Sequence, residues 1–161
     1  MEMIDEKQQI FLSPLKAEYV SDLSMTLCSM DPWRTLEYTT EAFELYLLRA
    51  DVALNRYVVM VSRKVAGVLS IRSPWLFGPF IELIALFNEF QGKGIGSQLV
   101  EWSCDHYRST NLWAAVSSFN LKAQEFYSKT GFQQIAVLED LIKGGWNEIL
   151  LRKRVAASDK G

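Results

Sequence analysis

The chain has 161 residues, about one domain, and its 49% apolar and 12% aromatic content is enough for a core. Its 17 basic and 19 acidic residues leave a net charge of −2, which gives no general basic field for nucleic acid or an anionic membrane. Cys28 and Cys104 are too few for a disulfide framework, and His106 is the only histidine, so neither disulfide nor metal chemistry is expected. No apolar run is long enough to span a bilayer, and the acidic start Met1–Glu6 is unlike a signal peptide, so a cytoplasmic protein is expected.

In chain order, residues 1–7 read as a loose polar end. Gln9–Ser13 reads as a short strand. Ala17–Ser29 has Ala17, Val20, Leu23, Ser24 and Leu27 at helical spacing, and Asp31-Pro32-Trp33 ends that helix. A second helix is predicted from Thr39-Thr40 to about Ala50, with Phe43, Tyr46 and Leu47 on its apolar side. Arg56–Ser62 and Val65–Arg72 are β-branched and aromatic, and Arg63-Lys64 between them suggests a hairpin turn. Ser73–Pro79 reads as a loop. Phe80–Phe87 is almost wholly apolar, as a buried central strand should be.

A glycine-rich turn follows, then a helix over Ile95–Arg108 with Ile95, Leu99, Trp102 and His106 on one stripe. Leu112–Ser117 is a predicted strand. Asn120 caps a helix that Gly131 ends, and Phe132–Leu138 and Glu148–Arg152 read as closing strands. The tail from Ala156 is expected to be disordered. No repeat or linker interrupts the pattern, so residues 1–161 are expected to form one α/β domain.

The informative segment is the turn Gln91-Gly92-Lys93-Gly94-Ile95-Gly96, with Ser97 beyond it. Three glycines at alternate positions let the backbone approach a ligand closely. The helix that follows adds unpaired N–H groups and the positive end of its dipole, which together favour a phosphate. Lys93 offers a point charge and Gln91 an amide donor. The spacing fits neither a P-loop nor a Gly-x-Gly-x-x-Gly dinucleotide turn. On the glycines alone, a strand-to-helix turn without a ligand stays open.

Gln91–Gly96 resembles the Gln/Arg-x-x-Gly-x-Gly/Ala signature of the GNAT N-acetyltransferase superfamily. Ile81–Leu86 is similar to the strand before that signature. Asn120-Leu121-Lys122-Ala123, Phe126-Tyr127 and Gly131-Phe132 resemble the family's second motif, Asn-x-x-Ala-x-x-Phe-Tyr-x-x-x-Gly-Phe. The resemblance covers about residues 9–152. It implies a mixed, mostly antiparallel sheet of about seven strands with about four helices, splayed between Phe80–Phe87 and Leu112–Ser117.

The resemblance further implies acetyl-CoA as co-substrate, with the amides of Gln91–Ser97 on its pyrophosphate. Leu86 and Phe87 would pair with the pantetheine arm, and an amide near Phe87 would polarise the thioester carbonyl. Asn120, Ala123 and Tyr127 share a helical face that would meet the same arm. Tyr127 stands where the family's general acid usually lies; its other reading is a half-buried core tyrosine. Glu82, the sole acid in the central strand, is the candidate base; its other reading is a carboxylate facing solvent or paired with a basic neighbour.

Several residues carry weaker readings. Cys104 lies mid-helix without an activating base, which argues against an acyl-cysteine. Trp33, Trp75, Phe77 and Trp146 fall in predicted loops, where they either line an acceptor pocket or seal the ends of the sheet. The expected function is transfer of an acetyl group to an amine of a small molecule or protein, with no metal, nucleic acid or membrane involved. A non-catalytic acyl-CoA-binding module is the alternative, and Glu82 and Tyr127 argue for the enzyme. The acceptor, the acyl length and the choice between monomer and homodimer stay open.

Overall fold

The computed structural model describes residues 1–156. The tail beyond, expected to be disordered, lies outside the described residues except for Ala156.

Eight strands form one sheet in the order β1-β2-β3-β4-β5-β6-β8-β7. They are β1 (Glu2–Asp5), β2 (Ile10–Pro14), β3 (Leu54–Val61), β4 (Lys64–Arg72), β5 (Phe80–Leu86), β6 (Asn111–Ser117), β7 (Gln133–Lys143) and β8 (Trp146–Arg154). The eighth strand is β1, where the sequence suggested a loose end. It pairs antiparallel with β2, and Trp102 donates its indole N–H to Glu2 at 2.8 Å. An anchor 100 residues away in sequence thus orders this short polar stretch.

Helices α1 (Val20–Cys28) and α2 (Thr40–Leu48) cover one face of the sheet. They bury Leu23, Leu27, Phe43 and Leu47 against Val68, Leu83 and Ala85. The predicted start of the second helix is present, since Thr39 Oγ1 accepts from the Ala42 amide at 3.1 Å. On the opposite face, α3 (Ile95–Tyr107) and α4 (Leu121–Lys129) join a second cluster. There Ile95, Leu99, Val100, Trp102 and Tyr127 meet Val59, Leu69, Ile71 and Ile81. The hairpin turn lies at Ser62-Arg63, both at positive φ, one residue before the expected position.

Strand β5 serves both faces because its register breaks. Ser70 pairs with Leu83 and Ile71 with Ile81, so Glu82 is the extra residue of a bulge. A bulge inverts the side-chain alternation, which puts Ile81 in one core cluster and Leu83 and Ala85 in the other. Every strand pair is antiparallel except β5–β6. That parallel pair is registered only at Phe80–Trp113 and Ile81–Ala114. Beyond it the two strands part, which is the expected splay.

Gly67 holds β4 close to β5 beside this opening. A Cβ there would collide with the Ala85 carbonyl oxygen. Gly67→Ala should therefore cost at least the ~1–3 kcal/mol typical of an overpacked core. Urea denaturation should show a lower midpoint with an unchanged slope.

Candidate functional site

The chain leaves β5 at Leu86, passes a 3-10 turn at Asn88–Phe90 and reaches Gly92 and Gly94 at φ 72° and 78°. A side chain is strained in that region of φ, so the turn needs glycine at both places. Around each, no described residue lies within 4 Å of where a Cβ would stand. Gly94 is the N-cap of α3 and offers no side-chain cap. The first amides of α3 are thus left for another acceptor.

Gly96 has a different role from the other two. Its missing Cβ would sit 3.0 Å from the ring of Phe126, so it lets α3 pack against α4. Gln91 and Lys93 differ in what they touch. The Gln91 amide donates to the Leu86 carbonyl at 2.8 Å, and its oxygen accepts from Lys122 at 2.6 Å, which latches the turn to β5 and α4. Lys93 is exposed, with its ammonium over the Phe90 ring at 5.8 Å.

A cavity of about 870 Å³ begins at this turn, against Gly92, Gly94, Ile95, Gly96 and Ser97. It runs along the open side of Ile84–Leu86 to Asn120, Ala123 and Tyr127. The backbone explains which amides face it. Phe87 donates its N–H to the Ala66 carbonyl at 2.8 Å and so faces β4. The expected polarising amide near Phe87 is thus not Phe87's own. By the alternation of an antiparallel ladder, Ile84 and Leu86 turn their amides toward the splay instead.

Helix α4 brings Asn120, Ala123 and Tyr127 to the cavity wall. Asn120 Oδ1 accepts from the Ala123 amide at 3.2 Å, so Asn120 is a cap and also lines the cavity. Tyr127 is buried between the rings of Phe126 and Phe132, at centroid distances of 5.1 Å. Burial raises its phenol above the ordinary tyrosine range, and no hydrogen bond opposes the shift.

A second cavity, of about 450 Å³, opens on the side of α1 and α2. Its walls include Trp33, Tyr38, Phe43, Phe80, Leu141 and Ile142. The two cavities meet at Pro32, Ile84, Asn120, Ala123 and Tyr127. Of the four loop aromatics, only Trp33 lines this second space. Trp75 stacks on Phe80 and edges Trp113, Trp146 edges Phe119, and Phe77 is 87% exposed.

Two carboxylates reach the second cavity. Glu82 is engaged at both oxygens by the Arg72 guanidinium, at 2.5 and 3.3 Å, and Arg72 also binds Asp51 at 3.0 Å. The alternative reading of Glu82, pairing with a basic neighbour, is what the structure shows. Glu148 of β8 is only 5% exposed, and its sole partner among the described residues is the Ser117 hydroxyl, at 2.6 Å from Oε1. Burial lifts its carboxyl above the ordinary range, against the opposing pull of that hydrogen bond. Sequence reasoning passed over Glu148 as the start of a closing strand. The signal was the one used for Glu82, since Glu148 is the only acid in β8.

The remaining candidates stand apart. Burial raises the Cys104 thiol, so it is held as an inert thiol, and His106 stacks on Trp102 at 4.5 Å. Among the described residues, no group of His, Cys, Asp and Glu is arranged to hold a metal ion, and no helix is long and apolar enough to cross a membrane.

A splayed sheet with an uncapped helix start at one end of the opening defines a ligand-binding α/β protein with two joined cavities. Residues 19–132 match the acetyltransferase (GNAT) family, and the chain belongs to that family. No curated protein matches the sequence significantly. Among solved structures, the fold is similar to an acetyltransferase from Thermus thermophilus, at 19% identity and TM-score 0.73 over 91% of this chain and 97% of that one. It is also similar to a GNAT acetyltransferase from Elizabethkingia anophelis with acetyl-CoA bound, at 21% identity and TM-score 0.66 over 91% and 98%. A chimeric spermidine N-acetyltransferase from Vibrio cholerae is similar at 20% identity and TM-score 0.69 over 91% and 95%.

The Gly96–Phe126 contact is open to test. Gly96→Ala should forfeit the ~1 kcal/mol that alanine normally gains over glycine in a helix, and should lose stability outright. In a Phe126→Leu background the same change should be neutral or stabilising. A double-mutant cycle of chemical denaturation reads the coupling directly.

Proposed function

We propose that the protein transfers an acetyl group from acetyl-CoA to a primary amine by direct attack. The observation that carries this reading is the meeting of the two cavities beside Tyr127. One cavity starts at an anion-favouring helix terminus, the other contains a buried carboxylate, and a reacting pair would face each other where they join.

In this reading the pyrophosphate of CoA lies on the α3 terminus, on the amides that Gly94 leaves uncapped. The pantetheine arm fills the splay along Ile84 and Leu86. The amide of one of these residues points at the thioester oxygen, where charge develops in the tetrahedral intermediate. Asn120 and Ala123 form the opposite wall.

An amine of ordinary basicity is neutral in only roughly one molecule in a few thousand at pH 7, so a base is needed. Glu82 was the candidate, but both its oxygens accept from Arg72. We assign the base to Glu148, whose Oε2 is free to take the proton. Glu148 takes one proton from the ammonium, the neutral nitrogen attacks the carbonyl carbon, and the C–S bond breaks. The departing thiolate takes the phenolic proton of Tyr127, and the phenolate takes the second proton that the nitrogen sheds as the amide forms. Burial keeps that phenol protonated, and the same burial makes the thiolate a stronger base than in water.

Acetyl-CoA at 100 times its Kd should stabilise the fold by about 2.7 kcal/mol, read as a rise in melting temperature, whereas ATP should not. A response to ATP alone would overturn the reading. Tyr127→Phe should lower kcat by about a hundredfold, within the range of general acid catalysis, while leaving acetyl-CoA affinity within about threefold.

The rate should also carry an acid limb, because a base must be deprotonated to act. Burial raises the Glu148 carboxyl, so the rate falls with decreasing pH above the range where an ordinary carboxylate would titrate. In Glu148→Gln that limb should vanish along with most of the rate. An unchanged profile would return the role to Glu82 or to water.

A further inference from the structure

We propose that the acceptor is a small primary monoamine on an aromatic or aliphatic body. Its amine would lie between Glu148 and Tyr127, and its body against Trp33, Tyr38 and Phe43. The proposal rests on the acetyl-transfer reading and narrows it to one class of substrate.

The first argument is charge. Among the described residues, no lysine or arginine lines the acceptor cavity, so a substrate carboxylate or phosphate would be buried without a partner. Of the two carboxylates there, Glu82 is already neutralised by Arg72. Glu148 is thus the single uncompensated negative charge. One buried anion matches one ammonium, and a second cation on the same ligand would be desolvated without a counter-charge.

The second argument is shape and surface. Phe43 is met edge-on by Trp33 at 5.7 Å and at a tilt by Tyr38 at 5.3 Å, which makes a rigid apolar wall. At the rim, Leu141 is 60% and Ile142 47% exposed. An apolar ligand body would cover surface that is otherwise wet.

The third argument is closure, and it favours a small molecule over a peptide. Lys143 reaches from the β7–β8 hairpin to the loop between α1 and α2. It binds the Glu37 carboxylate at 2.8 Å and the Thr35 carbonyl at 3.4 Å. This contact joins the hairpin that carries Leu141 and Ile142 to the loop that carries Trp33 and Tyr38, so the walls are tied together beside a small space of about 450 Å³.

The test is the rate of CoA release by the full-length protein at saturating acetyl-CoA. The acceptors are 2-phenylethylamine, hexylamine, spermidine, glycine and a tetrapeptide with a free N-terminus. The first two should exceed the others by about tenfold or more in kcat/KM. Trp33→Ala should raise the KM for 2-phenylethylamine by about tenfold and leave the Kd for acetyl-CoA unchanged. Spermidine, glycine or the tetrapeptide matching or exceeding the monoamines would overturn the assignment. So would an unchanged KM in the variant, or release with no acceptor by a protein that binds acetyl-CoA. If the protein neither binds acetyl-CoA nor releases CoA with any amine, the acetyl-transfer reading itself fails.

Discussion

The structure depends on the abrupt end of pairing between β5 and β6. Two registered residue pairs hold these strands together, and then they diverge. A sheet interior cannot leave backbone donors and acceptors unpaired in a dry space without a large penalty. The gap is therefore tolerated only as an opening, wet or filled by a polar ligand arm. The bulge at Glu82, the glycine turn after β5 and the cap on α4 all border this gap. Gly67 keeps the other side of β5 bonded while this side is open, so the strand is held firmly by one edge and offered by the other.

The two carboxylates around the gap differ in what partners them. Glu82, although central, is committed to Arg72, and Arg72 is shared with Asp51. That network stiffens the bulge and places no free charge in the cavity. Glu148 has a single neutral partner in Ser117, which leaves it basic and underused in the resting fold. Two carboxylates on neighbouring walls thus differ because one has a guanidinium beside it and the other a hydroxyl. Environment separates them, as burial and partner usually do for paired acids.

The elements nearest the cavity at the glycine turn were the most legible in the sequence. The apolar run of β5, the glycines at 92 and 94 and the Asn120 cap are local signals, each read within a few residues. What sequence reading missed depends on contacts between distant segments. β1 is ordered by Trp102, Gly96 answers to Phe126, and Glu148 matters because β8 lies beside Ser117 of β6. Likewise, only the β4–β5 register shows which amide near Phe87 faces the splay, since that of Phe87 itself turns to Ala66. The α1–α2 loop carries no periodicity, so its wall of Trp33 and Tyr38 emerges only once Phe43 is placed between them.

The contact between Gly96 and Phe126 bears on more than helix packing. Phe126 and Tyr127 are consecutive, so the distance at which α4 rests on α3 also sets how far the Tyr127 phenol reaches toward the junction of the cavities. The absent methyl at Gly96 acts as a spacer of fixed thickness in that arrangement. A shift of α3 would be passed through this contact to α4, which carries the phenol. The glycine turn and the Tyr127 side chain are in this sense one rigid part, gauged by a hydrogen atom where other residues carry carbon.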